Sequence, residues 1–160
     1  VTTIESTQTI FVAPGAGESL SVMGDLITFK LRANETGGAF TLFEGLVAPG
    51  GAEPIHFHYR EDETFYVLEG TVLFLIGEEW RDAPAGSVIH VPRGTVHGFH
   101  NGSGAPARLL VLNMPGGLHE ELFVAMSQLP PPASPEDGAA LVALAHRYGT
   151  EILPPPAPQA

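Results

Sequence analysis

The sequence predicts an all-β fold, a sandwich or barrel of short strands with short helices at its C-terminal end. Three observations lead there. Nineteen glycines and fifteen prolines in 160 residues call for many turns. Apolar-rich segments recur between those turns at a spacing of roughly eight to twelve residues, as in sandwiches and barrels. Helical periodicity is confined to the chain after Gly116. A hydrophobic content of 44% with 16% charged residues describes a globular chain, and this length suits one domain with a sizeable core.

Each element follows from its residues. "TIFVAP" (9–14), "LSVM" (20–23) and "LITFKLR" (26–32) are short strands ahead of a break at "ANETGG". "AFTLFEGLV" (39–47) is a further strand, closed by Pro49-Gly50-Gly51. "ETFYVLEG" (63–70) and "TVLFLIG" (71–77) are two apolar-rich strands hinged at Glu69-Gly70, and "EEWRDAPAG" (78–86) is a turn-rich bridge. "SVIHVP" (87–92) and "VHGFHN" (96–101) flank the loop Pro92-Arg93-Gly94, and "ARLLVLNMP" (107–115) is the last clear strand. "GGLHEELFVAMSQL" (116–129) reads as a short helix, broken by "PPPAS". Ser134 then offers an N-cap, Pro135 a first helical residue and Glu136 with Asp137 an acidic first turn. Leu141, Leu144, Ala145 and Tyr148 form one face of that second helix, and Gly149 ends it. "PPPAPQA" (154–160) is a solvated extended end.

The strand from Thr71 to Ile76 is apolar on both faces, with Val72, Phe74 and Ile76 on one and Leu73 and Leu75 on the other. A solvated strand would alternate with polar residues. The C-terminal helices or a second subunit are expected to cover it, and a homodimer is the expected assembly. The net charge of −11 argues against nucleic acid or an anionic membrane as partner. The absence of cysteine excludes thiolate chemistry and a disulfide framework. No signal-like stretch and no apolar run of membrane-spanning length stands in the sequence, so a cytoplasmic location is expected.

The chemistry concentrates in "GGAEPIHFHYREDETFYVLEG", residues 50–70. Side chains two apart on a strand share a face, which sets His56 beside His58. Glu63 follows five residues later, and two imidazoles with a carboxylate are donors a divalent cation binds. "GSVIHVPRGTVHGFHN", residues 86–101, supplies His97 after its Pro-Arg-Gly loop. Three nitrogens and one oxygen would leave open positions for water or substrate, as catalytic sites do. His90 and His100 are read as structural or solvated, His119 and His146 as helix residues without a metal role, and Glu61, Asp62 and Glu69 as a solvated rim.

The two stretches resemble the paired motifs of the cupins. Gly50, His56-x-His58, Glu63 and Gly70 match the first motif, and Gly86, Pro92-x-Gly94, His97 and Asn101 match the second. The fifteen residues between Gly70 and Gly86 suit the short bacterial form. The resemblance implies a cupin double-stranded β-helix, a jelly-roll barrel with short C-terminal helices. One domain over residues 1–160 is expected, with the conserved barrel over about 36–115 and the helical extension over about 116–150. The implied ligands are His56, His58, Glu63 and His97, holding one divalent transition metal per chain. Nickel, manganese, iron and cobalt suit such a site best, and copper or zinc also fit it.

The flanking "MPGGLHEELF" and "RYGTEIL" further resemble the bacterial monocupin quercetinase-like proteins. That likeness implies flavonol (quercetin) ring cleavage by a metal-dependent dioxygenase, with Glu63 as ligand and catalytic base. Its partners would be a small aromatic or enolisable substrate and dioxygen. The alternatives are a redox-neutral cyclase or isomerase acting on a polyketide-like or hydroxy-carbonyl substrate, and a cupin that only binds a small molecule. Strand parity assigns Phe65, Val67 and Phe99 to the ligands' interior as a substrate pocket. Phe40, Phe43, Leu118, Phe123 and Met126 would close its mouth.

Overall fold

The structure, a computed structural model, describes residues 8–130 and 132–154. Eleven strands and two helices follow in chain order among them. The first strands are β1 (Glu18–Val22), β2 (Asp25–Leu31), β3 (Thr41–Val47), β4 (His56–His58) and β5 (Asp62–Glu69). Then come β6 (Thr71–Ile76), β7 (Glu79–Pro84), β8 (Val88–Val91), β9 (Phe99–His100) and β10 (Ala107–Met114). The helices α1 (Leu118–Ser127) and α2 (Pro135–Arg147) precede the last strand, β11 (Thr150–Ile152). No helix among the described residues is long and apolar enough to cross a membrane.

The strands divide among three sheets, ordered β1-β2-β3-β10-β5-β8, β11-β4 and β7-β6-β9. Among the described residues the expected double-stranded β-helix therefore does not close as a barrel, because the three sheets are not joined into one ring. The ladder breaks where the chain turns inward to deliver the motif histidines. Across that gap the isolated bridges Ala52 with His100 and His56 with His97 join the two stretches, with single backbone hydrogen bonds such as Glu53 N–H to Phe99 O beside them. The outcome is an open, cupin-like jelly roll with two C-terminal helices.

Alternation builds the core. Along β10, Ala107, Leu109, Val111 and Asn113 are buried while their neighbours are half-buried. On β5 the same period turns Glu63, Phe65 and Val67 inward. Phe65 meets Phe74 of β6 edge-on at 4.8 Å between ring centroids, which packs the three-stranded sheet against the six-stranded one. Between β5 and β6, Gly70 adopts φ +78°, and a Cβ there would stand 3.0 Å from the Ala107 backbone. Only glycine makes that turn without displacing β10.

Two local readings are corrected. The stretch 78–86, read as a turn-rich bridge, contains β7, which pairs along its whole length with β6. Residues 9–14, read as a strand, form none; they end in a turn in which Ala16 N–H donates to Ala13 O. Both helices form, and the Ser134 hydroxyl caps α2 by accepting from Asp137 N–H at 3.1 Å. Apart from Pro154, the expected extended end lies outside the described residues.

Candidate metal centre

Hydrogen bonds between the two motif stretches assemble the site. His56 and His97 exchange both backbone hydrogen bonds at 2.9 Å, which fixes one histidine stretch against the other. The Pro92-Arg93-Gly94 loop is held from both sides. Gly94 N–H donates to His58 O at 2.7 Å, and Asp62 accepts from the Arg93 backbone and guanidinium at 2.9 Å. Asn101, fully buried, donates to three backbone carbonyls of the 47–48 and 105 segments and closes the second motif.

His56, His58, Glu63 and His97 are all buried and turned to one point. His56 Nε2 and His58 Nε2 lie 3.1 Å apart. Glu63 Oε2 lies 3.0 Å from both His58 Nε2 and His97 Nε2. The far ring nitrogens decide what these contacts mean. His56 Nδ1 sits 2.7 Å from Pro54 O, and His97 Nδ1 2.9 Å from Thr95 O. A carbonyl only accepts, so both Nδ1 atoms carry the proton, and in the neutral rings both Nε2 atoms present lone pairs. His58 Nδ1 is anchored 3.0 Å from Thr150 Oγ1. Imidazole nitrogens and a carboxylate oxygen thus converge at about 3 Å, an arrangement that a bound cation would satisfy. The donor set and the anchored outer nitrogens are those of a metal site.

Electrostatics agree at His56 and Glu63, while at His97 burial pushes the imidazole down and the contact and charge of Glu63 outweigh that and raise it above the ordinary value. Burial, with His97 and His58 nearby, holds His56 well below the usual imidazole range. Burial alone would raise the Glu63 carboxyl; the neighbouring imidazoles of His119, His58 and His97 outweigh it and hold it well below the ordinary value. A neutral imidazole and an ionised carboxylate are the forms that bind metal.

A second ring of groups surrounds these ligands, and sequence reasoning missed it. His119, set aside as a helix residue, is buried with Nδ1 3.7 Å from Glu63 Oε1 and 3.2 Å from the Asn113 amide. Burial pushes its imidazole down to about 3. Glu61, read as a solvated rim, is instead buried and accepts from His119 N–H at 3.2 Å; burial raises it to about 7. His58, Glu61 and His119 lie close enough to form a second donor group that shares His58. Glu53 stands with Oε1 4.0 Å from His56 Nε2, and burial followed by the Glu63 charge raises it to about 8. His90 and His146 are exposed, as read, bonded to Thr64 and Glu151.

Beside the cluster lies a cavity of about 380 Å³, predominantly apolar and bordered by His56, His119, Glu53 and Thr150. The β1–β2 hairpin, β10, both helices and β11 wall it. Of the expected pocket residues, Phe99, Phe123 and Met126 line it. Phe43 stands behind, with its ring centroid 5.2 Å from that of Phe123, and Phe65 and Val67 are packed in the core. Phe40 and Leu118 are half-buried and outside its lining.

Residues 43–113 match the cupin domain family model. An uncharacterized protein of Methanocaldococcus jannaschii, MJ1618, is 31% identical over 81 residues, 51% of this chain and 65% of that protein. Germin-like protein 5-1 of Oryza sativa subsp. japonica is 41% identical over 70 residues, 39% of this chain and 30% of that protein. The chain therefore spans less than two thirds of either relative. Among solved structures, the polyketide cyclase RemF of Streptomyces resistomycificus aligns with a TM-score of 0.59 at 25% identity, over 67% of this chain and 80% of that one.

Proposed function

For this chain, which carries a cupin-superfamily domain with a His/His/Glu/His cluster, we propose a metal-dependent, redox-neutral enzyme, a cyclase or isomerase acting on a polyketide-like or hydroxy-carbonyl substrate. One observation carries the reading: the ligand cluster borders a predominantly apolar cavity sized for a small ring system. The likeness to RemF over most of that enzyme's length favours this chemistry over the flavonol ring cleavage implied by the flanking resemblance.

His56, His58, Glu63 and His97 would hold the cation, whose contribution is Lewis-acid polarisation of a carbonyl or enol oxygen. The chain's own groups do the rest. Pro54 O and Thr95 O keep two imidazoles in their tautomer and orientation, and Thr150 Oγ1 orients the third. Glu63 takes the proton of an acidified hydroxyl or α-carbon. The apolar walls exclude water, so an enolised intermediate is not quenched before it closes a ring or shifts a double bond.

The test is turnover of poly-β-carbonyl and hydroxy-aryl ketone substrates by the metal-loaded protein, with and without air. Equal rates with no oxygen uptake support the proposal. Oxygen consumption matched by carbon monoxide release from a flavonol overturns it in favour of a dioxygenase.

A further inference from the structure

The charge lining of the cavity narrows the substrate further, on the premise of the function proposed above. Glu53 Oε2 is buried without a hydrogen-bond partner, on a residue that lines the cavity beside His56. Buried carboxyl oxygens are almost always bonded, so the partner of this one is to be sought in what fills the cavity. The other acid there, Asp25, is already engaged, its Oδ1 accepting from Ala48 N–H at 3.3 Å. None of the chain's seven lysines and arginines lines the cavity. Lys30, Arg32, Arg81, Arg93 and Arg108 are paired with carboxylates elsewhere. A phosphate or carboxylate on the body of a substrate would find no basic side chain to receive it.

We propose that the site selects an uncharged, ring-bearing hydroxy-carbonyl compound and that Glu53 binds a second hydroxyl of it, away from the oxygen that meets the cluster. A hydroxyl both donates and accepts, so it satisfies Glu53 Oε2 in either role. Glu53 is thereby a specificity-determining residue, and the apolar walls of β10 and α1 take the rings.

The test is binding to the zinc-loaded full chain, measured by calorimetry without turnover. The probes are 1-hydroxy-2-acetonaphthone, its analogues with one further hydroxyl at each second-ring position, and the matching carboxylates. At least one hydroxyl analogue should bind up to about tenfold tighter than the parent, the scale of one buried hydrogen bond. Every carboxylate should bind more weakly than the parent. Glu53→Leu should abolish the hydroxyl advantage, and Glu53→Gln should restore part of it while raising affinity for the carboxylates. A carboxylate that binds wild type as well as the parent overturns the proposal. So does an undiminished hydroxyl advantage in Glu53→Leu, or failure of the whole series to bind. The wild-type ranking stands as a test even if a variant does not fold. Oxygen uptake would remove the proposed reaction and leave this binding preference to be judged separately.

Discussion

At the residue scale, the site is three imidazoles and a carboxylate turned to one point. His56→Ala and His97→Ala should each collapse metal occupancy in elemental analysis, and full occupancy in both would remove the site. Thr150→Val tests the outer anchor. It keeps the shape and deletes the oxygen at His58 Nδ1, so metal affinity should fall by about 10-fold or more in a chelator competition, the usual effect of losing such a partner. Unchanged affinity would show that Thr150 only packs. Glu63→Gln keeps one ligating oxygen and removes the basicity. Metal should stay while turnover falls by about 100-fold or more, the scale of general base loss. Normal turnover at full occupancy would move the proton to another group.

At the element scale, α1 is tied to the sheet by charge as well as by apolar packing. Glu120 in its first turn accepts from Arg32 Nε and Ala33 N–H at 2.8 Å and from the Thr41 hydroxyl at 3.0 Å. Burial pushes its carboxyl up, and these three partners outweigh that and hold it below the ordinary value. A depressed folded pKa gives stability that is present above the unfolded value of about 4.3 and is lost as pH falls through the folded one. Glu120→Gln should therefore lower stability by about 1–3 kcal/mol at pH 7, the cost of a hydrogen bond to a charged group. Urea unfolding should show the gap closing below about pH 4. A gap that persists at low pH would assign the loss to packing. The same helix brings His119 to Glu63, so what loosens α1 also disturbs the cluster.

At the scale of the whole molecule, we propose a homodimer, for a reason that differs from the strand pattern alone. The second face of β6 is largely shielded, with Leu75 8% exposed. Ile76 at the end of β6 and Trp80 of β7 are exposed, and four further apolar residues lie uncovered on the outer face of the six-stranded sheet. There Leu26 pairs with Leu46, and Tyr66 with Val88 of the edge strand β8, and each of the four is over 40% exposed. Sedimentation should report twice the chain mass, and Val88→Glu should halve it; a wild-type monomer at micromolar concentration would end the proposal. Although it missed β7 and β11 and set a strand at residues 9–14 where none forms, the sequence by itself determined most of the other strands, both helices and the four cluster residues. Those features depend on local spacing: alternation, an N-cap, and glycine and proline turns that frame each histidine stretch. It could not reveal that the sheets stay open, because closure depends on how many strands bond around the ring. Nor could it show Glu53 without a partner, Thr150 behind His58, or His119 and Glu61 buried together. Each of those acquires its role from residues three to ninety-two positions away, through β11 pairing with β4 and α1 seating over the cluster. Only the packed chain decides which polar groups lose water, and that loss of water is what turns an ordinary acid or imidazole into part of a site.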